Sequence, residues 1–278
     1  MRTHKDLKTE FPSVLDSAYK QYLRDLSRYK EVSHIMSQDV ITINPESSMA
    51  EAARIMGEKH IGSLIVKKYE TPVGIVTERD LLSKVLAWGK DPVKEKVEAS
   101  MSFPLVMIDP SAKIKEAAQM MIQKKGRLAV FDGGKLVGVV TASDLISSLP
   151  EVPETEVKVD DFMTKEVMTA DEETTVASIT KIMGEKRIGS VIVTSNEEPF
   201  GIFTERDLLT TFLVKGKSLL TKVGKEASSP LIKAPSGTSV HKAAAIMVLK
   251  KIRRLPITLG DKLVGIITAR DLVEAYTK

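Results

Sequence analysis

The sequence predicts an α+β protein made of four repeated units, each ordered strand, helix, strand, strand, helix. Three observations carry this reading. IMGEKHIGSLIV, beginning at Ile55, returns as IMGEKRIGSVIV, beginning at Ile182, with ten of twelve positions identical at an offset of 127 residues. GIVTERDLL from Gly74 and GIFTERDLL from Gly201 keep that offset, as do KLVGVVTASDLI from Lys135 and KLVGIITARDLV from Lys262. A half-period then emerges, because four T-x-x-D motifs (Thr77/Asp80, Thr141/Asp144, Thr204/Asp207, Thr268/Asp271) recur at intervals of 64, 63 and 64 residues. Self-similarity at a fixed period marks tandem structural units, and here odd units resemble odd and even resemble even.

Within each unit the elements follow from local pattern. A short lead containing Met or Pro (SHIMSQDV, EASMSFP, DDFMTKEV, EASSPL) precedes a brief apolar strand. An acidic or Pro/Ser turn then starts an amphipathic helix, with Met49, Ala52, Ala53 and Met56 at helical spacing in the first unit and Val240, Ala243, Ala244 and Met247 in the fourth. Two strands separated by turn residues come next: SLIV and PVGIVT in the first unit, LPITL and KLVGIIT around Gly260-Asp261 in the fourth. The last strand runs into T-x-x-D and a second helix, as in TERDLLSKVLAW.

Composition bounds the chemistry. The 278 residues are 42% apolar and 28% charged, which fits a globular chain and excludes a disordered polyelectrolyte. No cysteine is present, so disulfides, thiolate catalysis and Cys-ligated metals are excluded, and the four histidines show no metal-ligand spacing. The N-terminus MRTHKDLKTE has no apolar core of a signal peptide, and no stretch approaches the ~18 apolar residues of a membrane span. A cytoplasmic protein without a membrane partner is expected. Nucleophile motifs, a Walker A sequence and a metal constellation are missing, so no enzymatic activity is expected.

T-x-x-D before an apolar helical stretch reads as a capping box, in which the Thr hydroxyl satisfies a free N–H at the helix start. Capping does not explain Asp at the third place each time, because Glu reaches back better. An Asp carboxylate can accept both hydroxyls of a ribose, while adjacent helix-start N–H groups and the Thr hydroxyl suit a phosphate. A cation opposite that site separates the units. Arg253 and Arg254 stand where the odd units have Gly62/Ser63 and Gly189/Ser190, and the second unit retains Arg127. The odd units carry Lys59/His60 and Lys186/Arg187 one step earlier. Lys250 and Lys251 read equally as cleft cations or as a solvated helix end complementing the C-terminal dipole.

Four units of ~60 residues, each closing in G-h-h-T-x-x-D-L, resemble CBS domains, pairs of which form a Bateman module; the resemblance is to stand-alone regulatory members of prokaryotic or archaeal type. It covers Val32 to the C-terminus and implies units at about 32–90, 98–150, 158–215 and 226–278. Residues 31–150 would then be one module and 151–278 a second, the two assembling into a flat disc within one chain or between two. It further implies that Asp80, Asp144, Asp207 and Asp271 face ribose hydroxyls of an adenine nucleotide. Thr77, Thr141, Thr204 and Thr268 would lie by the sugar and phosphate, and the base against main chain around Ile41/Thr42 or Ile232/Lys233. The Arg pair before Pro256 resembles the basic pair that contacts phosphates in the AMP-activated kinase regulatory subunit.

The first 30 residues stand outside the repeats and read as an amphipathic helical extension, with Ser13 as N-cap and Leu15, Tyr19, Tyr22, Leu26 and Tyr29 on one stripe. Lys20, Tyr22, Arg24 and Arg28 combine aromatic and cationic groups suited to nucleic acid or a partner, although packing of the stripe on the body of the protein is the plainer reading. The net charge of +4 is unevenly divided. Residues 151–207 carry a net −8 and residues 208–278 a net +9, the latter including Lys215, Lys217, Lys222, Lys225, Lys250 and Lys251. The function expected is a non-catalytic regulator that needs no cofactor and couples adenine-nucleotide occupancy to a protein or ribonucleoprotein partner, as a monomer or homodimer. An RNA- or ribosome-associated factor is the alternative, and an S-adenosylmethionine sensor a lesser one.

Overall fold

The computed structural model describes residues 31–124, 126–148 and 157–278. Four three-stranded sheets form, each in the order first, second, third strand: β1 (Thr42–Ile43), β2 (Ser63–Lys68), β3 (Thr71–Thr77); β4 (Val106–Ile108), β5 (Leu128–Asp132), β6 (Lys135–Val140); β7 (Thr169–Asp171), β8 (Ser190–Ser195), β9 (Glu198–Thr204); and β10 (Ala234–Pro235), β11 (Arg254–Leu259), β12 (Lys262–Thr268). In every sheet the first pair is parallel and the second antiparallel. A parallel pair needs a crossover, which a helix supplies each time: α1 (Met49–Glu58) joins β1 to β2, and α8 (Val240–Lys250) joins β10 to β11. The predicted βαββα order is therefore realised in all four repeats.

The crossover helices start where the side chains dictate. Ser48 Oγ accepts from Glu51 N at 3.1 Å, Thr175 Oγ1 from Ser178 N at 3.3 Å, and Ser239 Oγ from Lys242 N at 3.3 Å. Each such cap stabilises a helix by about 1 kcal/mol. Met49, Ala52, Ala53 and Met56 are all buried, as are Val240, Ala243, Ala244 and Met247, so the spacing read from sequence is the face that packs on the sheet. The second strands are buried along most of their length, which explains their continuous apolar runs SLIV, LAV, SVIV and LPIT.

One feature of each repeat departs from the linear order. The leads pack on a neighbouring repeat: Ser37 bridges Val139, Ser102 bridges Ile75, Thr164 bridges Ile266, and Ser228 bridges Ile202. A lead thus precedes one repeat in sequence and completes another in space. Contacts divide the described chain into two compact units. One comprises Asp39–Leu105 with Glu166–Ile232 and so holds the first and third repeats. The other comprises the described residues of Met1–Gln38, Val106–Lys165 and Lys233–Lys278 and holds the second and fourth.

In the first of these units, close helix contact explains the Gly of both IMGEK segments. A Cβ on Gly57 would lie 2.6 Å from Val214 Cγ2, and one on Gly184 would collide with the Cβ of Ala87. The helices after T-x-x-D in these two repeats are wide: Glu78–Asp80 continues into a π-helical stretch Leu81–Val85, and Glu205–Asp207 into Leu208–Leu213. In the even repeats the corresponding helices are plain α, α5 (Ala142–Ile146) and α9 (Ala269–Thr277). Two cores flank the Gly contacts, one around Met56, Leu64 and Val66, the other around Met183, Val191 and Phe203.

Candidate functional site

The last strand of each repeat delivers Thr and Asp to the same place. All four motifs form a reciprocal capping box. The Thr hydroxyl donates to Asp Oδ2 at 2.6 Å in Thr77, 2.7 Å in Thr141, 2.7 Å in Thr204 and 2.8 Å in Thr268. The Thr main-chain N–H donates to the same oxygen at 2.7–2.9 Å. Asp, one methylene shorter than Glu, is drawn tight against the turn by these bonds. Its Oδ1 is left for something else, and the repeats differ in what meets it.

In the first repeat Asp80 Oδ1 is 2.7 Å from Lys84 Nζ and 3.4 Å from Ser102 Oγ. In the even repeats, among the described residues, Oδ1 of Asp144 and of Asp271 takes no hydrogen bond. Burial raises the pKa of Asp144 above the ordinary carboxylate value, and the Thr141 hydrogen bonds, Arg253 and Arg127 pull it back. Burial likewise raises Asp271, against its bonds to Thr268; Glu274 adds to the rise and Arg270 opposes it. Arg253 of the fourth repeat therefore acts electrostatically on the carboxylate of the second. The second and fourth motifs thus lie within one unit, and a cation of one repeat reaches the carboxylate of the other.

The alignment of Arg253 with the odd-repeat glycines holds in space. The first N–H after Thr donates to Gly62 O at 3.3 Å, to Gly189 O at 3.1 Å and to Arg253 O at 2.9 Å. Arg254 opens β11 opposite Thr268 and, like Arg253 and Arg127, is half-buried. Arg270, which the sequence analysis did not single out, donates to Ile122 O at 3.3 Å and joins the same neighbourhood.

The odd repeats use the two positions between Thr and Asp differently. Glu78 and Glu205 are buried, and each meets the Arg of the other repeat: Arg206 Nε to Glu78 Oε1 at 3.3 Å, Arg79 Nε to Glu205 Oε1 at 3.0 Å. Arg79 also donates to Arg187 O at 3.2 Å. Where the odd repeats place Glu-Arg, the even ones place Ala142-Ser143 and Ala269-Arg270. The pairing of the odd repeats is thus closed by carboxylates, whereas the even repeats place Ala142 and Ala269 in the carboxylate's position. TERD against TASD and TARD was the visible signal.

The remaining candidates are placed as follows. Ile41 O accepts from Ile65 N at 3.1 Å and Thr42 begins β1, while Ile232 and Lys233 lead into β10. Lys250 and Lys251 are exposed at the end of α8, with Lys251 in the left-handed capping conformation at φ 53°. His60 and Arg187 take the same conformation and are exposed with Lys59 and Lys186. Lys215, Lys217, Lys222 and Lys225 are exposed; Lys217 pairs with Glu226 and Lys222 lies 4.0 Å from Glu173. Lys20, Tyr22, Arg24 and Arg28 lie outside the described residues. Among the described residues there is no group of three or more His, Asp or Glu able to hold a metal, and no helix is long and apolar enough to cross a membrane.

The CBS domain family model matches residues 32–87, 93–151, 159–213 and 223–278. The chain belongs to the CBS-domain family. Its four CBS units, each a small sheet with helices, match a paired Bateman-module architecture. An uncharacterized protein of Methanopyrus kandleri is 37% identical over 44% of this chain and 64% of its own length. An uncharacterized protein of Methanocaldococcus jannaschii is 27% identical over 87% of the chain and 61% of its own length, so the chain spans somewhat less than two thirds of either relative. Among solved structures, a Methanocaldococcus jannaschii protein described as a proposed archaeal homolog of γ-AMPK superposes with a TM-score of 0.75 at 21% identity, covering 88% of this chain and 99% of that one. A conserved protein of Pyrococcus horikoshii superposes with a TM-score of 0.63 at 22% identity, over 88% and 99%. These two likenesses establish the fold.

Proposed function

We propose that this CBS-domain protein is a non-catalytic regulatory protein that binds an adenine nucleotide in the unit formed by the second and fourth repeats. One observation carries the reading: Asp144 and Asp271 each keep an oxygen without a hydrogen bond from the described residues, with Arg253 and Arg127 acting on Asp144, Arg270 acting on Asp271 and Arg254 opposite Thr268 in the sheet. A carboxylate fixed through one oxygen can take a ribose diol through the other, and half-buried guanidinium groups suit phosphate. The γ-AMPK likeness of one structural neighbour agrees with a regulatory nucleotide ligand. Occupancy would alter the balance of charge among these Arg and Asp side chains and so favour one packing of the unit, which a macromolecular partner would read through its differential affinity.

A thermal-shift panel of AMP, ADP, ATP and S-adenosylmethionine tests this. A ligand at 100 times its Kd raises stability by about 2.7 kcal/mol, so an unmistakable rise in Tm is expected with at least one phosphate-bearing nucleotide. A rise with S-adenosylmethionine alone would redirect the reading to a sulfonium ligand, and no rise with any of the four would refute nucleotide sensing.

A further inference from the structure

We propose that Lys84 holds the Thr77–Asp80 site of the first repeat closed to ribose, making it a latent site that one side chain silences. The inference rests on the reading of Thr–Asp as a ribose receptor given above and names the residue that decides which of the four copies can act as one.

All four motifs share the Oδ2 side of the Asp, which is spent on the Thr hydroxyl and N–H. Only Oδ1 is open to variation. In the first repeat Lys84 Nζ sits 2.7 Å from Asp80 Oδ1 and also donates to Ser100 O at 2.7 Å. The ammonium is therefore anchored at two points, one on its own helix and one on the lead that bridges back through Ser102 to Ile75. Ser102 Oγ adds a contact to the same Oδ1 at 3.4 Å. With Asp80 only 6% exposed, ribose hydroxyls would have to displace this ammonium rather than share the oxygen with it. Both the ammonium and a diol would hydrogen-bond the same carboxylate oxygen, but only the ammonium brings an opposite charge to it, so the neutral diol competes at a disadvantage.

The other repeats serve as internal controls. The residue four places after the Asp is Ser148 in the second, Thr211 in the third and Ala275 in the fourth, none of them cationic. Ser148 Oγ is turned to Leu145 O at 2.9 Å. Thr211 lies in a π-helical stretch matching the one that carries Lys84, so the helix is alike and the cation is absent. Ser100, the second anchor, corresponds to Glu226 in the third repeat, where the main-chain bond of Ala227 to Val223 parallels that of Met101 to Val97.

The test is the number of AMP molecules bound per full-length chain, measured by native mass spectrometry with calorimetry, for the unmodified protein, Lys84→Thr, Lys84→Arg, Asp80→Asn and Lys84→Thr with Asp80→Asn. Lys84→Thr is expected to bind one AMP more than the unmodified protein, the added Asp80→Asn to abolish that gain, and Lys84→Arg and Asp80→Asn alone to leave the number unchanged. If Lys84→Thr binds the same number or fewer while Asp271→Ala still weakens binding, the nucleotide reading stands and the role given to Lys84 is wrong. Absence of AMP binding in every variant overturns both. Circular dichroism of each variant separates a lost site from a lost fold, and the gain expected of Lys84→Thr cannot arise from unfolding.

Discussion

Asp271 is held above the ordinary carboxylate range by burial, with Glu274 adding to the rise and the Thr268 bonds and Arg270 opposing it. The folded state therefore binds this proton more tightly than the unfolded chain, so ionising Asp271 costs stability. That cost is complete above the raised folded value and disappears below the unfolded value near 3.8. Asp271→Asn keeps an oxygen for Thr268 but removes the charge, and the variant should melt higher than the parent at pH 7, by ~2–4 °C for each kcal/mol relieved. The margin should narrow as pH falls through the window between the two values; a margin constant from pH 7 to pH 4 would contradict the assignment. The stability given up here is the expected cost of keeping a carboxylate poised for a ligand. At this scale Thr, Asp, Arg253 and Arg254 were legible because they recur or break the recurrence. Lys84 was not, because a lysine four residues after an Asp is ordinary on any helix, and only the turn of the chain at Ser100 and Ser102 gives it a second anchor.

Helix, sheet and turn followed their local signals closely, since Ser48, Thr175 and Ser239 cap where the apolar period begins and the strands carry buried runs. Two things escaped the pattern. The leads pack on neighbouring repeats through isolated bridges, which need only a few extended residues and leave no periodic trace. The π-helical stretches after Asp80 and Asp207 read as ordinary helix because LLSKV and LLTTFL have good helical periodicity, and the widening arises where these helices meet Gly184 and Gly57. Those glycines support a prediction about elements. Gly184→Val places a branched side chain against Ala87, and overpacking of this kind costs about 1–3 kcal/mol. Chemical denaturation should show a lowered midpoint for Gly184→Val, whereas Gly133→Val, at a position with nothing near its Cβ but with φ 53°, should lose stability through backbone strain alone. An unchanged midpoint for Gly184→Val would mean that the helices do not approach as described.

Across the whole molecule, a tandem duplication has diverged into two kinds of repeat. The odd repeats pair through the buried carboxylates Glu78 and Glu205 with Arg206 and Arg79, and one of their Thr–Asp motifs is engaged by Lys84. The even repeats put Ala, Ser and Arg in the same places and leave two Asp oxygens without a hydrogen bond from the described residues. The uneven charge along the chain is the coarse trace of that divergence: the basic excess of residues 208–278 includes Arg253, Arg254 and Arg270 around the motifs, while Lys217 and Lys222 are matched by Glu226 and Glu173. Calorimetric titration of AMP into the unmodified protein, Asp271→Ala, Arg254→Ala and Asp80→Ala tests the central claim most directly. Asp271→Ala and Arg254→Ala should each weaken binding at least tenfold, equivalent to about 1.4 kcal/mol, while Asp80→Ala leaves it unchanged; equal losses in all three, or a loss confined to Asp80→Ala, would contradict the assignment of the site to the second and fourth repeats.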